Sequence, residues 1–309
     1  MGGFDLHKGQ WVDVIKQAIP GLAMLLDEPM WAHTSLKVGG PVDVMLMPTS
    51  AEEVCQVLHL LKEHDIPRYI MGNGSNLLVR DGGIRGVVIK LGDNFSDAVV
   101  EGSRIRAQAG ISLTKLAHMA WQGGLTGLEF ASGIPGSLGG AIAMNAGAYG
   151  GEMADVLEKV VCCNLDGNMS TLDLPALELG YRSSKVRNEK LVALEAVVAL
   201  KPGDRTLIRD TMDDLNRRRR EKQPLNFASA GSTFKRPSGY FAGKLIDDAG
   251  LRGICVGDAQ VSDLHCGFVV NRGRATANEL LELIDLIRQQ VWDKYQVELE
   301  LEVQVVGED

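Results

Sequence analysis

Residues 132–151 read SGIPGSLGGAIAMNAGAYGG and contain seven glycines, six alanines or serines, and no charged side chain. Side chains this small cannot fill a core, but glycine lets a backbone approach another group closely because it has no Cβ. Residues 136–140 offer successive backbone N–H groups, and residues 141–144 are suited to open a short helix behind them. Such converging amides suit a phosphate or diphosphate. The alternative is a tight turn between packed elements.

A second glycine-rich turn, GNGSN at residues 72–76, follows a short predicted strand at residues 69–71. It lacks the third glycine of the dinucleotide fingerprint, and no long helix follows it. It still offers amides, a hydroxyl and two carboxamides to a phosphate, although a simple hairpin is the alternative. The two glycine-rich segments begin 60 residues apart, at residues 72 and 132, and together they predict two clamps on one diphosphate.

The composition excludes several classes of protein. The chain has 309 residues, of which 45% are hydrophobic and 23% charged, as is typical of a globular protein of about two domains. A net charge of −8 argues against a general nucleic-acid binder, which needs a broad basic surface. The six histidines form no ligand pattern and no cysteines have zinc-site spacing, so we expect no metal.

The sequence also indicates where the protein works. Five cysteines, an odd number without paired spacing, indicate reduced thiols in a cytoplasmic protein. The first five residues contain no basic start and no apolar run, so we expect no signal peptide. No apolar stretch approaches the roughly 20 residues of a membrane span. We therefore expect a cytoplasmic monomer that binds neither nucleic acid nor membrane.

Hydrophobic periodicity predicts helices and strands in mixed order. Ser50-x-x-Glu53 predicts a capping box at the start of a helix, and Thr276-x-x-Glu279 predicts another. After a break at residues 201–204, the chain carries a charged helix predicted at residues 204–221. Residues 297–306 alternate apolar with polar side chains and predict one long strand.

Spacing alone gives little weight to the remaining polar residues. Arg182 is typical of a surface loop, Ser232 of a turn, and Glu302 of the solvated face of a strand. The run RRRREK at residues 217–222 is the one dense basic cluster in an acidic chain. It complements the dipole at a helix C-terminus, and it would also attract an anionic ligand.

In their order along the chain, the motifs resemble the UDP-N-acetylenolpyruvoylglucosamine reductases. The resemblance runs from about His33 to Gly307, nearly the whole chain. The chain lacks the tyrosine-bearing insertion of one branch after YRSSK, so it is similar to the shorter, second type. The matching motifs are HTSLKVGGP at 33–41, GNGSNLL at 72–78, SGIPGSLGGA at 132–141, NAGAYGGE at 145–152, YRSSK at 181–185, KQPL at 222–225, SAGSTFKRP at 229–237 and GFVVN at 267–271.

The resemblance implies an α+β fold with a two-subdomain FAD-binding module of the vanillyl-alcohol-oxidase (PCMH) type and a smaller α+β substrate domain. It implies that the FAD-binding domain spans residues 1–203 and the substrate domain residues 204–296. A C-terminal strand at residues 297–309 returns to the active site. The implied cofactor is non-covalent FAD, with NADPH as co-substrate and a small-molecule UDP-sugar as substrate.

The implied reaction reduces UDP-N-acetylenolpyruvoylglucosamine to UDP-N-acetylmuramate in peptidoglycan synthesis. Hydride passes from flavin N5 to the terminal carbon of the enolpyruvyl group, and the enolate then takes a proton. Arg182 matches the family's catalytic arginine, Ser232 its proton donor and Glu302 its catalytic glutamate. These residue types suit the chemistry, because a guanidinium can hold a carboxylate with two parallel hydrogen bonds.

The resemblance also implies the ligand contacts. Those to FAD are Gly72, Asn73, Gly74, Ser75, Asn76, Leu77, Ser132, Gly133, Ile134, Pro135, Gly136, Ser137, Gly139, Gly140, Ala141 and Asn145. Those to the substrate are Tyr149, Lys222, Lys235 and Arg236. Two other functions remain alternatives: a flavin oxidase of the same fold that acts on a sugar or hydroxy acid, and a non-enzymatic nucleotide-sugar-binding protein. The SAGSTFKRP motif and the basic run argue against the oxidase.

Overall fold

The computed structural model describes residues 8–309, so the segment used for the signal-peptide prediction lies outside the described residues. The predicted mixture of helices and strands is present, and the α+β class is confirmed. The helices, numbered in chain order, are α1 Lys8–Ala18, α2 Ala51–Glu63, α3 Leu113–Gln122, α4 Leu138–Ala143, α5 Lys185–Asn188, α6 Arg205–Lys222, α7 Ala242–Asp248 and α8 Ala277–Tyr295.

The strands are numbered in the same way, and many are short. They are β1 Ala23–Pro29, β2 Pro41–Met47, β3 Arg68–Met71, β4 Leu77–Val79, β5 Ile84–Lys90, β6 Ala98–Glu101, β7 Arg104–Gln108, β8 Leu125–Thr126, β9 Gly147–Ala148, β10 Gly151–Glu152, β11 Leu157–Cys163, β12 Met169–Asp173, β13 Val192–Ala199, β14 Lys201–Pro202, β15 Ala228–Ser229, β16 Cys255–Val256, β17 Ala259–Val261, β18 Val269–Asn271 and β19 Gln304–Val306.

Polar side chains cap the helices where the sequence predicts, because the first N–H groups of a helix lack backbone partners. Thr276 and Glu279 form the predicted reciprocal capping box at the start of α8. At α2, Ser50 Oγ accepts from Glu53 N at 3.1 Å, which is half of a box. The Glu53 carboxylate instead accepts from Thr49 N at 2.6 Å, so the predicted box at Ser50 is wrong in its second bond.

The chain forms two compact units. Unit 1 contains the described part of Met1–Leu26, with Asp43–Asn73 and Gly86–Arg217. Its largest sheet has the order β12-β11-β13-β7-β6 and is antiparallel throughout. It also holds most of a sheet of order β1-β2-β5-β3, in which β3 and β5 are parallel. Aliphatic side chains from α2, α3 and these strands are buried together as its core.

Unit 2 contains Asp27–Val42, Gly74–Arg85 and Arg218–Asp309. Its antiparallel sheet has the order β15-β18-β17-β16, and β19 pairs in parallel with β4. The buried face of α8 packs into a second, separate core. The buried residues of α8 include Leu280, Ile284 and Val291, which recur at helical spacing on one side.

The C-terminal segment differs from its prediction. Leu299 and Val303 are buried while Glu298 and Glu300 are exposed, so the predicted alternation of faces is present. Regular strand covers only β19, however, and the segment before it is joined to its neighbour by an isolated bridge between Leu301 and Phe234. A period-two pattern reports burial, but a regular ladder also requires a partner strand of equal length.

The compact units do not follow chain order, because two short segments before residue 86 belong with the C-terminal part. Compactness does not identify what each part binds, so the functional division into residues 1–203, 204–296 and 297–309 stays a prediction. None of the helices in residues 8–309 has the length and apolar character needed to cross a membrane.

Candidate functional site

Arg182 lies at the tip of a tight turn in unit 1. Gly180 N donates to Ser183 O at 3.0 Å, and Ser183 N donates to Gly180 O at 3.2 Å, which closes the turn. The backbone φ of Arg182 is +54°, in the left-handed region that non-glycine residues rarely occupy. Such a conformation costs about 1–3 kcal/mol and persists only where the surroundings fix it. The turn therefore stores strain at a predicted catalytic residue.

Two side chains hold this turn by its carbonyl groups. Arg187 Nη1, on the short helix α5, donates to Arg182 O at 2.8 Å. The same nitrogen lies 3.2 Å from Met144 Sδ. Asn145 Nδ2 donates to Gly180 O at 3.3 Å, at the other end of the turn. The turn is thus bonded at its base, Gly180, and at its tip, Arg182, to neighbouring parts of unit 1.

Asn145 connects the Arg182 turn to the glycine-rich segment. Its side chain is 2% exposed, and its Oδ1 accepts from Ala154 N at 3.0 Å. Ser184, just after the turn, donates from Oγ to Ala143 O at 2.9 Å. Asn145 is predicted to contact FAD, and the structure shows that both ends of its carboxamide also make hydrogen bonds within the protein.

The two glycine-rich segments meet at Gly72 and Ser137, both in unit 1. A Cβ built on Gly72 would lie 2.0 Å from Ser137 Oγ, so only glycine fits there. Ser137 also caps α4, with its Oγ accepting from Gly140 N at 3.4 Å. Main-chain bonds from Leu138 N to Ile111 O and from Gly139 N to Ala109 O, both 2.8 Å, fix the start of α4. One ligand could therefore touch both segments, which fits a dinucleotide cofactor.

The other predicted FAD contacts occupy several kinds of position. Residues 132–137 form the turn before α4, and Gly139, Gly140 and Ala141 lie within it. Asn73 belongs to unit 1, whereas Gly74, Ser75, Asn76 and Leu77 belong to unit 2, where Leu77 is buried at the start of β4. Contact of these residues with FAD stays a prediction.

Tyr149 and Tyr69 are the tyrosines of unit 1 that lie near these segments in the chain. Tyr149, a predicted substrate contact, is exposed and has a φ of +55°. Tyr69 lies on β3, directly before the first glycine-rich turn. Burial raises the pKa of Tyr69 to about 12, and the positive charge of Arg187 partly offsets this rise. The guanidinium of Arg187 therefore faces a phenol that stays protonated.

Ser232 and Glu302 are neighbours through the main chain of unit 2. Glu302 N donates to Thr233 O at 2.9 Å, and Lys235 N donates to Glu300 O at 2.8 Å. Residues 233–235 thus run antiparallel to residues 300–302, with a bridge between Phe234 and Leu301. Ser232 is exposed at one end of this pairing. Backbone hydrogen bonds thus fix Thr233, the residue after Ser232, against Glu302.

Asn76 and Thr233 reinforce the same pairing. Asn76 Nδ2 donates to Glu302 O at 3.0 Å, and Gln304 N donates to Asn76 O at 3.0 Å. Thr233 N donates to Gly267 O at 2.9 Å, while Thr233 Oγ1 accepts from Val269 N at 3.0 Å. Asn76 is predicted to contact FAD, and its carboxamide also fixes the main chain of Glu302, a predicted catalytic residue.

Three basic residues of unit 2 are predicted substrate contacts. Lys222 is exposed at the last residue of α6. Lys235 Nζ donates to Glu300 Oε2 at 2.8 Å and lowers the pKa of that carboxyl. The Arg236 guanidinium carbon lies 4.0 Å from the centre of the exposed Phe241 ring, a cation–π distance.

Two cavities within unit 2 are lined by other residues. One of about 350 Å³ lies beside Gln223, Phe227 and Gln260, and one of about 510 Å³ beside Arg288 and Trp292. Neither is lined by a predicted site residue.

The structure thus places the predicted residues in two groups. Unit 1 joins Gly72 to Ser137 and the Arg182 turn to Asn145, and unit 2 joins Thr233, the residue after Ser232, to Glu302. Sequence reasoning missed Arg187 altogether. Ser184 lies three residues before Arg187 and caps α5, a spacing that could have indicated a helix that carries Arg187 back to the turn.

Comparison with known proteins gives consistent matches. A family model described as "FAD binding domain" matches residues 42–173, and one described as "UDP-N-acetylenolpyruvoylglucosamine reductase, C-terminal domain" matches residues 223–306. The UDP-N-acetylenolpyruvoylglucosamine reductase of Clostridioides difficile is 52% identical over 92% of this chain and 93% of its own. That of Alkaliphilus oremlandii is 50% identical over 96% of this chain and 97% of its own.

A solved structure matches over the same extent. The crystal structure of UDP-N-acetylenolpyruvylglucosamine reductase (MurB) from Thermus caldophilus matches with a TM-score of 0.79 and 36% sequence identity. The match covers 93% of this chain and 99% of that chain. Similarity in sequence and in fold therefore extends over nearly the full length of both proteins.

Proposed function

The chain belongs to the UDP-N-acetylenolpyruvoylglucosamine reductase family, and from that membership we propose how its own residues carry out the reaction. The protein is an FAD-dependent enzyme that reduces UDP-N-acetylenolpyruvoylglucosamine in peptidoglycan synthesis, with NADPH as the reductant. The observation that carries this conclusion is 52% identity over 92% of the chain. Neither the oxidase nor the non-enzymatic alternative is supported.

We propose that the paired glycine-rich segments hold FAD. Gly72 and Ser137 approach each other closely, so the two segments can contact one cofactor. The amides of Leu138 and Gly139 already donate to Ile111 O and Ala109 O, so they are not available to its diphosphate. When bound, FAD supplies the reducing equivalents that come from NADPH. The protein's part is to bind it without a covalent bond and to keep water away from the reacting groups.

The proposed role of Arg182 is to hold the carboxylate of the enolpyruvyl group. Negative charge builds on that carboxylate and the adjacent carbon as the double bond is reduced. A guanidinium remains protonated and offers parallel donors, so it stabilises this charge without a proton transfer. The φ of +54° does not by itself mark function, since the exposed Lys190 has a φ of +55°, so the proposed role rests on the match of Arg182 to the family's catalytic arginine.

The proposed role of Ser232 is to donate a proton from Oγ to the enolate carbon, with Glu302 beside it. A serine hydroxyl is a weak acid, so the neighbouring carboxyl is needed to assist protonation. The pairing of residues 233–235 with 300–302 supports the two roles, because it fixes Thr233, the residue after Ser232, against Glu302.

We propose that Lys222, Lys235 and Arg236 contact the substrate on unit 2, and Tyr149 on unit 1. The three cations suit the diphosphate of a UDP-sugar, since phosphate oxygens accept charge-assisted hydrogen bonds.

We further propose a cytoplasmic monomer. An odd number of cysteines without paired spacing in the sequence supports a reducing compartment. Light scattering on the purified protein tests the oligomeric state, and a stable dimer would contradict it.

A visible absorption spectrum tests the assignment most directly. The purified protein is expected to be yellow, and to consume NADPH continuously only when UDP-N-acetylenolpyruvoylglucosamine is present. Rapid oxygen consumption with a sugar or hydroxy acid, and without NADPH, would favour an oxidase. A colourless protein that cannot be reconstituted with FAD would contradict the proposed cofactor site.

A further inference from the structure

Arg187 lies on α5, outside every motif that the sequence analysis singled out. We propose that Arg187 is a positioning residue that keeps Arg182 in its strained conformation; the inference rests on the proposed function of Arg182. The Arg187 guanidinium donates to the carbonyl oxygen of Arg182 at 2.8 Å. This contact is to the main chain of the strained residue itself, so it acts directly on the dihedral angles at the tip of the turn.

The turn needs such a restraint. With a φ of +54°, Arg182 lies in a region where a non-glycine residue has a lower-energy alternative nearby. The two bonds between Gly180 and Ser183 close the turn but leave the carbonyl of Arg182 at the tip. Arg187 binds that carbonyl, while Asn145 binds the carbonyl of Gly180. Loss of the Arg187 contact frees the tip of the turn, while the Asn145 contact keeps its base in place.

Arg187 is itself held firmly enough to act as a restraint. Its main-chain N–H donates to the cap residue Ser184 at 3.2 Å, and Ser184 Oγ donates to Ala143 O. Its Nη1 also lies against Met144 Sδ at 3.2 Å. The guanidinium is therefore fixed between the glycine-rich segment and the turn. It does not extend into solvent, as most arginines on short helices do.

A matched control lies two residues away. Lys185 is on the same helix and carries the same charge, but its Nζ contacts Glu178 at 3.4 Å and Glu189 at 3.6 Å. Both of these partners lie outside the bonds that hold the turn carbonyls. Lys185→Ala therefore removes a cation from α5 without releasing Arg182, and it separates positioning from a general effect of charge or helix stability.

The experiment compares Arg187→Ala, Arg187→Lys, Lys185→Ala, Arg182→Ala and the double variant Arg182→Ala/Arg187→Ala as FAD-loaded proteins. Arg187→Ala is expected to lower kcat roughly 10- to 100-fold, since a displacement of about 1 Å in a catalytic group has effects of this size. The rate of flavin reduction by NADPH, followed by loss of absorbance without the UDP-sugar, should be unchanged. Arg187→Lys should keep a higher kcat than Arg187→Ala, and Lys185→Ala should have the kcat of the wild-type protein.

The double variant tests whether Arg187 acts through Arg182. If it does, Arg187→Ala causes little further loss of kcat in the Arg182→Ala background, since the two changes remove one function. Equal losses in both backgrounds would overturn the inference. A normal kcat in Arg187→Ala together with a low kcat in Arg182→Ala would also overturn it, while leaving the role of Arg182 intact. A normal kcat in Arg182→Ala would instead contradict the proposed function.

A measurement that does not depend on turnover tests the turn directly, even if a variant loses activity for a reason unrelated to Arg182. Hydrogen exchange at the Ser183 amide, which is bonded to Gly180 O, reports on the turn directly. Arg187→Ala is expected to exchange faster at this amide than the wild-type protein, with exchange in β13 unchanged. Lys185→Ala should exchange like the wild-type protein. Unchanged exchange at Ser183 in Arg187→Ala would contradict the inference.

Discussion

The Arg182 turn of unit 1 and the Ser232–Glu302 pairing of unit 2 hold predicted catalytic residues in different ways. At the turn, side chains do the holding: Arg187 binds the carbonyl of Arg182, and Asn145 that of Gly180. At the pairing, main-chain bonds fix Thr233 against Glu302, and one side chain, that of Asn76, adds a bond to Glu302 O. Backbone bonds persist whatever the side chains are, whereas each side-chain bond depends on one residue type. Substitutions around the turn should therefore affect geometry more than substitutions around the pairing.

The largest expected effect comes from Ser232→Ala, which keeps the backbone pairing and removes only the hydroxyl. We expect kcat to fall roughly 10²- to 10⁴-fold, the usual contribution of a general acid. Reduction of bound flavin by NADPH should continue at the wild-type rate. Stopped-flow absorbance measures both steps. Ser238→Ala, an exposed serine nearby in the chain, is the control, and an unchanged kcat in Ser232→Ala would remove that residue from the mechanism.

Arg182→Gly tests the strain at the turn. Glycine adopts a positive φ freely, so we expect the free energy of unfolding to rise by about 1 kcal/mol. At the same time kcat should fall roughly 10²- to 10³-fold, since a preorganised donor is lost. Urea unfolding and steady-state kinetics measure the two changes. Lys190→Gly, at a similar φ of +55° on an exposed residue, should gain stability without losing activity.

If Arg182→Gly destabilises the protein, the turn is not strained in the way its φ indicates. If Lys190→Gly also loses activity, the effect of Arg182→Gly cannot be assigned to the guanidinium. The contrast between the turn and the backbone pairing becomes sharper if Arg182→Gly raises the free energy of unfolding and lowers kcat. Lys190→Gly should then raise the free energy of unfolding and leave kcat unchanged.

Gly72→Ala tests the contact between the two glycine-rich segments. Its new Cβ would lie 2.0 Å from Ser137 Oγ, and we expect a loss of about 1–3 kcal/mol in the free energy of unfolding from overpacking. FAD affinity, measured by flavin fluorescence, should fall as well. Adding Ser137→Gly removes the clashing hydroxyl at a cost of only a few tenths of a kcal/mol in capping. Failure of this second change to restore stability would contradict the close approach.

The smallest effect is expected for the exposed ion pair beside the backbone pairing. Lys235 lowers the pKa of Glu300 below its ordinary value of 4.5. The pair therefore contributes to stability above pH 4.5 and loses that contribution as the pH falls through the lowered pKa. Glu300→Gln should have a slightly lower Tm at neutral pH and the same Tm in acid. Thermal unfolding at both pH values measures this, and a large loss would show that the side chains hold the pairing.

Much of the fold follows from local patterns. The capping box at Thr276 and the charged helix α6 lie where the residues predict them, because capping and periodicity act within a few residues. The long C-terminal strand was predicted from alternation and is mostly irregular, because a ladder needs a partner that the local sequence does not reveal. The buried face was still predicted correctly.

By itself the sequence determined the glycine positions, the element types and the family motifs, since these depend on residue chemistry at short spacing. Only the tertiary structure revealed that Arg187 holds Arg182 by its carbonyl and that Asn76 holds Glu302 in the same way. Any polar side chain can bind a distant main-chain oxygen once folding brings the two together. Such bonds leave no period or motif, because the acceptor is a backbone atom that every residue carries.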